Sequence, residues 1–287
     1  MIENFKFNKT DFTKITDGSY LNYSFNKSKN YGSNLSFKIR RSSDDATQDI
    51  LLTKEGFPDL NQILYFVGSG SGYVDTIYEK NNSELHLTQV TTALQPRVVN
   101  SGSLDLINGK LRMYFALGNY LVATGLVVNN AHSIFCYLEP NLSTAAYMHA
   151  VAICDTTGSN FKSVIGIKTQ SGEYVMSGER KPDAVNTFLL GTYLNTPNIF
   201  AAVRASNTLQ YIRCNRITQS KLGTTSTTLQ SLTNLYIGIN WESSSAVTGD
   251  RYRGYTSDIS IYNYALTERE ITEKTNLLGR FLNIKTR

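Results

Sequence analysis

LSFKIRRSSDDATQDI (residues 35–50), VGSGSGYVDTIYEKNNSELHLTQ (67–89) and QPRVVNSG (95–102) are the stretches on which the reading of the chain turns. Leu35, Phe37 and Ile39 alternate with Ser36, Lys38 and Arg40, which gives a strand with one apolar face. Ser42, Ser43, Asp44 and Asp45 supply turn residues whose short side chains bond their own backbone, and Thr47 to Leu52 runs back as a partner strand. Asp59 stands three residues before Gln62, a capping-box spacing, and Leu60, Ile63, Leu64 and Val67 share one helical face. Gly68 ends that helix and Tyr73 to Tyr78 is again a strand. The Gly68–Gly72 run follows a helix and precedes a strand, the reverse of the order in a phosphate-binding loop. It is a helix stop and connector.

Working outward, the pattern is strand upon strand. Strands are predicted at Ser19–Phe25, Lys110–Phe115, Tyr120–Val128, Ser133–Leu138, His149–Cys154, Val164–Thr169, Glu173–Met176, Val185–Tyr193, Phe200–Ala205 and Leu209–Cys214. Ser206, Asn207 and Thr208 read as a hairpin turn. Leu235, Ile237, Ile239 and Trp241 alternate with Tyr236, Gly238 and Asn240, which puts Trp241 on the core face of one strand. Asp258, next to Ile259, reads as an outward-facing strand residue. At the end, Thr267 and Glu270 form a capping box, Leu266 staples onto Ile271, and Ile271, Thr275 and Leu278 line one face of a closing helix. Helix is therefore expected only over Asp59–Val67 and Glu268–Leu278.

Composition limits the function classes. The 28 Lys and Arg against 23 Asp and Glu give a net charge of +5, and residues 1–41 hold eight basic residues against Glu3, Asp11 and Asp17, an excess of five. No nucleic-acid module motif accompanies that excess. The longest apolar run, Tyr120 to Val128, is far short of the ~20 residues of a membrane-spanning helix, and the N-terminus has no signal-peptide pattern. Cys136, Cys154 and Cys214 are odd in number without paired spacing, so reduced, buried thiols are expected. His86, His132 and His149 are scattered, which gives no zinc spacing. Phe5, Phe7 and Phe12 among lysines read as apolar anchors of an N-terminal arm over residues 1–17, docking on another subunit, with a single sandwich over 18–287.

The run Arg40-Arg41-Ser42-Ser43-Asp44-Asp45-Ala46, followed in order by Gly72 to Tyr78, Leu87-Thr88-Gln89 and Gln95 to Gly102, resembles a segment of phage tail and virion proteins. The same segment is similar to one in the catalytic domain of fungal α-L-arabinofuranosidase B. The resemblance covers roughly Asp17 to Gly125 and departs at Tyr78-Glu79-Lys80-Asn81-Asn82, where the family has Tyr-Asp-Gln-Ser-Gly. Gly254 to Ile271 resembles the end of laminin-G-like, concanavalin A-like domains. Together these imply an all-β, concanavalin A-like jelly-roll β-sandwich with a short C-terminal helix.

The function this implies is a structural component of a phage virion (fibre, tail or head-decoration subunit) that attaches to a host-surface glycan. Its partners would be other virion subunits and copies of itself, and its location the virion. The alternatives are an arabinofuranosidase-like glycan-cleaving enzyme and a virion module without ligand. Sugar binding needs aromatic faces and planar polar groups, a mixture present at Tyr193, Asn195 and Asn198 and at Glu242, Tyr252, Arg253 and Tyr255. Glu139, Asp155, Glu173, Glu179, Asp183, Glu242, Asp250 and Asp258 are the carboxylates near aromatic loops; no spacing singles out a catalytic pair, so no residue is assigned a catalytic role. Asp155 to Gly158 and Asp250 would suit calcium at a sheet rim, although turn formation accounts for the same residues.

Overall fold

The computed structural model describes residues 14–28, 32–81, 84–116, 118–141, 147–154, 162–170, 173–180, 184–189, 196–206, 209–215, 217–222, 232–242 and 245–284. Its first part runs β1 (Leu21–Tyr23), β2 (Leu35–Arg41), β3 (Thr47–Leu51), α1 (Leu60–Val67), β4 (Gly72–Ile77), β5 (Leu87–Thr88), β6 (Arg97–Asn100), β7 (Ser103–Leu104), β8 (Leu106–Ile107), β9 (Lys110–Leu111) and β10 (Met113–Phe115). There follow β11 (Leu121–Val128), β12 (His132–Pro140), β13 (Tyr147–Cys154), β14 (Lys162–Gln170), β15 (Glu173–Arg180), β16 (Ala184–Leu189), β17 (Asn198–Arg204) and β18 (Leu209–Cys214). The chain closes with β19 (Ile217–Leu222), β20 (Leu232–Ile237), β21 (Ile239–Glu242), β22 (Ser245–Arg251), β23 (Gly254–Tyr262) and α2 (Glu268–Leu282).

Apart from the β8–β9 hairpin, which is a separate two-stranded sheet, these strands form two layers of one curled, almost wholly antiparallel sheet. In the front layer β19, β18, β17, β12 and β23 pair in turn, and the far edge of β23 takes β1 along Ile259–Ile261 and β10 along Gly254–Thr256. From β10 the layer continues through β6, β4, β2 and β3. The back layer runs β16, β15, β14, β13, β20 and β11, and short β5 joins the layers by pairing with both β4 and β11. This is the all-β jelly-roll sandwich the sequence implies, with α2 at the C-terminal end.

The core lies between the layers, where Ile134, Cys136, Leu138, Phe200, Ile259 and Ile261 face Leu121, Val151, Ile153, Leu235 and Ile237. A second apolar cluster covers the other face of the same front strands: Phe135, Tyr137, Ile199, Val203 and Tyr262 pack under Leu266, Ile271, Leu278, Phe281 and Leu282. Strands β12 and β17 are thus buried on both faces and read as apolar runs, whereas β23, also largely buried, keeps the polar Thr256, Ser257, Asp258 and Ser260. The capping box at Thr267 and Glu270 is present. The helix continues four residues past Leu278 because Phe281 and Leu282 also bury, and it ends at Asn283 in the left-handed region. All three cysteines are free and buried.

Two expectations are corrected. Asp258 does not reach solvent: it is 6% exposed and accepts hydrogen bonds from Ser24 Oγ at 2.6 Å and Ser257 Oγ at 2.5 Å. The outer face is itself covered there, and a register shift against β12 falls between Cys136 and Leu138. The run to Trp241 is not one strand either. Gly238, at φ +95°, separates β20 from β21, and a Cβ there would lie 2.4 Å from the Phe115 ring.

The segment that carries the family resemblance is a set of mutual partners. Arg40 donates from Nε to Gln95 Oε1 (2.6 Å) and from Nη1 to Asp45 Oδ1 (2.5 Å), while its guanidinium lies 4.8 Å from the Tyr73 ring centre. Gln95 passes the connection to the Gln89 carbonyl at 2.8 Å, and Arg41 clamps Asp44 with two 2.7 Å bonds. Asp59 caps α1 through the Asn61 and Gln62 amides. Gln62 does not reach back to complete a capping box; it bonds the Leu51 amide and the Asp49 carbonyl, fixing α1 to β3.

Where the chain departs from the family, the replacement side chains are structural. Glu79 and Lys80 are both fully buried. Glu79 accepts from the Asn22 amide (2.5 Å) and the Asn81 amide (2.7 Å), and Lys80 Nζ donates to the carbonyls of Ser36 (2.6 Å), Tyr78 (2.8 Å) and Leu35 (3.2 Å). The pair clasps β1, β2 and the end of β4. Residues 14–17 of the expected arm dock on their own sandwich: Ile15 is 1% exposed, and its carbonyl accepts from Tyr262 and Lys274 at 3.0 Å each. Phe5, Phe7 and Phe12 lie outside the described residues. Among the described residues no helix is long and apolar enough to cross a membrane.

Burial, opposed by neighbouring Glu79, pushes the Lys80 pKa down to about 7. The unfolded chain then holds more protons than the folded one between that value and the ordinary lysine range, so this group makes stability rise with pH across the window. Urea denaturation of the wild type and Lys80→Met from pH 7 to 9.5 is expected to show wild-type stability rising relative to the variant, by up to about 1.4 kcal/mol per pH unit. A pH-independent difference would remove Lys80 as the titrating group.

Candidate functional site

At the start of β23 the helix cover ends and the outer face of the front layer opens. Tyr114 lies between Met113 and Phe115, which both point into the core, so Tyr114 points outward. Pairing sets it opposite Arg97 on β6 and Tyr255 on β23, and Tyr255 in turn sits opposite Glu139 on β12. Arg97, Tyr114, Tyr255 and Glu139 therefore form one row across four strands, roughly 14 Å long at the usual strand spacing.

The row is rigidly cross-braced. The guanidinium of Arg97 lies 4.7 Å from the Tyr114 ring centre and donates from Nε to Asp105 at 2.9 Å. That of Arg112 lies 3.6 Å from the Tyr255 ring centre and donates from Nη1 to Glu139. Glu139 also accepts from the Tyr137 hydroxyl at 2.8 Å. The two tyrosine rings stand 5.0 Å apart with their planes tilted by 51°. Arg253, exposed beside the middle of the row, donates from Nε to the Tyr114 hydroxyl at 3.4 Å. Asp105 and Glu139 side chains are 10% and 16% exposed, so both carboxylates remain within reach of solvent only at their edges.

Burial works against the charge on Arg97, but the hydrogen bond and proximity to Asp105 outweigh it and hold its pKa above the ordinary value. Burial, with Asp105 beside it, pushes the Tyr255 phenol up; burial with Glu139 beside it does the same to Tyr137. Both phenols stay protonated at neutral pH. The strip thus offers fixed guanidinium and phenol donors and two edge-exposed carboxylate acceptors, held on tyrosine rings. Such groups can bracket the hydroxyls of a polar ligand.

The residues chosen from sequence fall into four sets. Arg253 and Tyr255 lie in this strip. Tyr252 and Asn198 do not face solvent: Tyr252 is fully buried against Phe115 and donates to the Tyr255 carbonyl at 2.9 Å. Asn198, 3% exposed, bonds the Thr196 carbonyl and accepts from Asn215. Glu242 ends β21 opposite Ser245, on a different part of the sheet, while Tyr193 and Asn195 lie outside the described residues. Arg97, Asp105, Arg112 and Tyr114 were not singled out from sequence. The outward position of Tyr114 was legible in its alternation, but its partners are set by strand pairing. Asp155 to Gly158, one calcium candidate, lie outside the described residues; among those described no three His, Cys, Asp or Glu side chains gather as a metal site.

No family model and no curated protein matches the chain. Among solved structures it is similar to a mutant GH54 α-L-arabinofuranosidase soaked with 4-nitrophenyl α-L-arabinofuranoside, with a TM-score of 0.71 and 12% identity over 95% of this chain and 65% of that one. It is similar to an arabinofuranosidase complexed with arabinofuranosyl-α-1,2-xylobiose, at TM-score 0.71 and 14% identity over 95% and 64% of the two chains. A mutant of HCR/D follows at TM-score 0.50 and 11% identity, over 94% and 53%. At these identities the likeness establishes the fold, an all-β sandwich of the arabinofuranosidase type. The chain spans less than two thirds of each of those longer chains.

Tyr252→Ala is expected to lower unfolding free energy by about 3 kcal/mol or more, as for other large buried aromatics. Tyr255→Ala, which loses a half-exposed ring and a cation–π contact, should cost about 1–2 kcal/mol. Equal losses in urea denaturation would mean that Tyr255 is core rather than surface.

Proposed function

We propose that this chain is a glycan-binding β-sandwich serving as a structural subunit of a phage virion, and that the Arg97–Tyr114–Tyr255–Glu139 strip, with Arg112 and Arg253, holds a host-surface sugar. The observation that carries the binding reading is the row itself: two tyrosines, three arginines and two carboxylates are fixed across neighbouring strands at the open end of an otherwise helix-covered face. The sandwich shared with arabinofuranosidases, one of them complexed with an arabinofuranosyl-xylobiose, supports carbohydrate as the ligand class. The virion setting rests on the Arg40 to Gly102 resemblance, whose residues tie strands and turns together here. Copies linked in a particle would raise weak single-site affinity by roughly 10²–10⁴.

This reading gives the strip binding and no bond cleavage. Asp105 and Glu139 are each held by an arginine, and Glu139 also by a tyrosine. The carboxyl that burial drives above its ordinary pKa, Asp258, is enclosed with Ser24 and Ser257 away from solvent. A glycosidase would need a raised-pKa acid facing an open cleft opposite a second carboxylate.

Titration of the protein with oligosaccharides released from host surface polysaccharide should show binding that falls at least tenfold in Tyr114→Ala and Tyr255→Ala, with both variants still folded by circular dichroism. No release of reducing sugar should accompany it. Unchanged affinity in both variants would reject the strip, and sugar release abolished by one Asp or Glu substitution would favour the enzyme.

A further inference from the structure

Charge within the strip is unevenly compensated. Arg97 is paired with Asp105 and Arg112 with Glu139, and each guanidinium also lies over a tyrosine ring. Those two pairs are neutral overall. Arg253 is different. Its side chain is exposed, and among the described residues that side chain donates one hydrogen bond, to the Tyr114 hydroxyl at 3.4 Å, and has no carboxylate partner.

The backbone beneath it is fixed. The Arg253 carbonyl accepts from the Asn141 amide at 2.9 Å, the Tyr252 amide donates to the Gly238 carbonyl at 2.9 Å, and the Tyr252 hydroxyl holds the Tyr255 carbonyl at 2.9 Å. Gly254, between the two strip residues, has φ +146°, and a Cβ there would come 2.3 Å from the Glu139 carbonyl. This close approach seats Arg253 directly beside the row. A guanidinium so placed keeps both terminal nitrogens for a ligand, in the planar fork that matches a carboxylate or phosphate.

We infer that the sugar bound here carries an acidic group, a carboxylate or a phosphate ester, and that Arg253 is the residue that receives it. This inference rests on the glycan-binding reading of the same strip and adds the ligand's charge. The ring hydroxyls lie over the Tyr114–Tyr255 centre of the row between the two neutral pairs, and the acidic group reaches sideways from that centre to Arg253. The overall excess of basic residues would favour the approach of such a polymer, and the attraction weakens as salt rises.

The test compares wild type, Arg253→Gln and Tyr255→Ala by calorimetric titration with three probes: an oligouronate, its carboxyl-reduced neutral counterpart, and a glycerol-phosphate glycopolymer. Wild type should bind at least one acidic probe about tenfold tighter than the neutral one, the difference expected of a charge-assisted bond. Arg253→Gln should remove that difference, weakening the acidic probe about tenfold more than the neutral one, and Tyr255→Ala should weaken every probe. The acidic probe that loses affinity in Arg253→Gln identifies carboxylate or phosphate as the group read. Equal binding of acidic and neutral probes, or equal loss of both in Arg253→Gln, overturns the acidic assignment and leaves the glycan reading intact. Failure of all three probes to bind wild type overturns both.

Discussion

Strand β23 is buried on both of its faces, and the rest of the molecule is arranged to make that possible. Its inward Ile259 and Ile261 join the inter-layer core, while outward Tyr262 joins the cluster under α2. A sheet strand ordinarily leaves one face to water. Here the second face is closed by a fifteen-residue helix with a reciprocal cap and by the segment around Ile15. Ile271, Leu278, Phe281 and Leu282 each contribute roughly 1.5–3 kcal/mol on burial, enough to hold a helix that would be marginal alone. The Ile15 carbonyl, bonded by Tyr262 and Lys274, ties strand, helix and N-terminal segment together.

The site follows from where that cover stops. On one continuous outer face, the Tyr262 end of β23 is dry and apolar and the Tyr255 end is open, charged and aromatic. The neighbouring strands share the transition: Phe135 and Tyr137 on β12 lie in the covered cluster, and Glu139, two residues on, lies in the strip. Two-residue steps keep side chains on one face, so a single strand delivers both a core residue and one that reaches solvent at its edge. The rigidity of the core is passed to the strip, and no loop has to be ordered to form the row.

Much of the fold was legible because local rules were obeyed. The capping box at Thr267, the stop at Gly68, the turn at Ser42 to Asp45 and most of the strand runs match their sequence signatures. Asp258 was misread because alternation reports which face a side chain takes, and not whether that face is covered. Tyr252 and Asn198 looked like ligand residues because tyrosine and asparagine serve equally well as buried, hydrogen-bonded packing. The strip was largely hidden for a different reason. Its members come from residues 97, 105, 112, 114, 139, 253 and 255, and only strand pairing brings them together. The Glu79–Lys80 departure was visible as a departure, yet its physical meaning, a buried clasp on three carbonyls, needed the fold.

Ligand contact on the outer strip, as proposed, leaves the back layer without a part in binding. A titration of isotopically labelled protein with an acidic host-surface oligosaccharide, followed by amide and arginine Nε resonances, tests this directly. Perturbations are expected to concentrate at Arg97, Arg112, Tyr114, Glu139, Arg253 and Tyr255, with β13 and β20 unmoved. Perturbations centred on β13, β20 or the β21–β22 hairpin, with the strip silent, would contradict it.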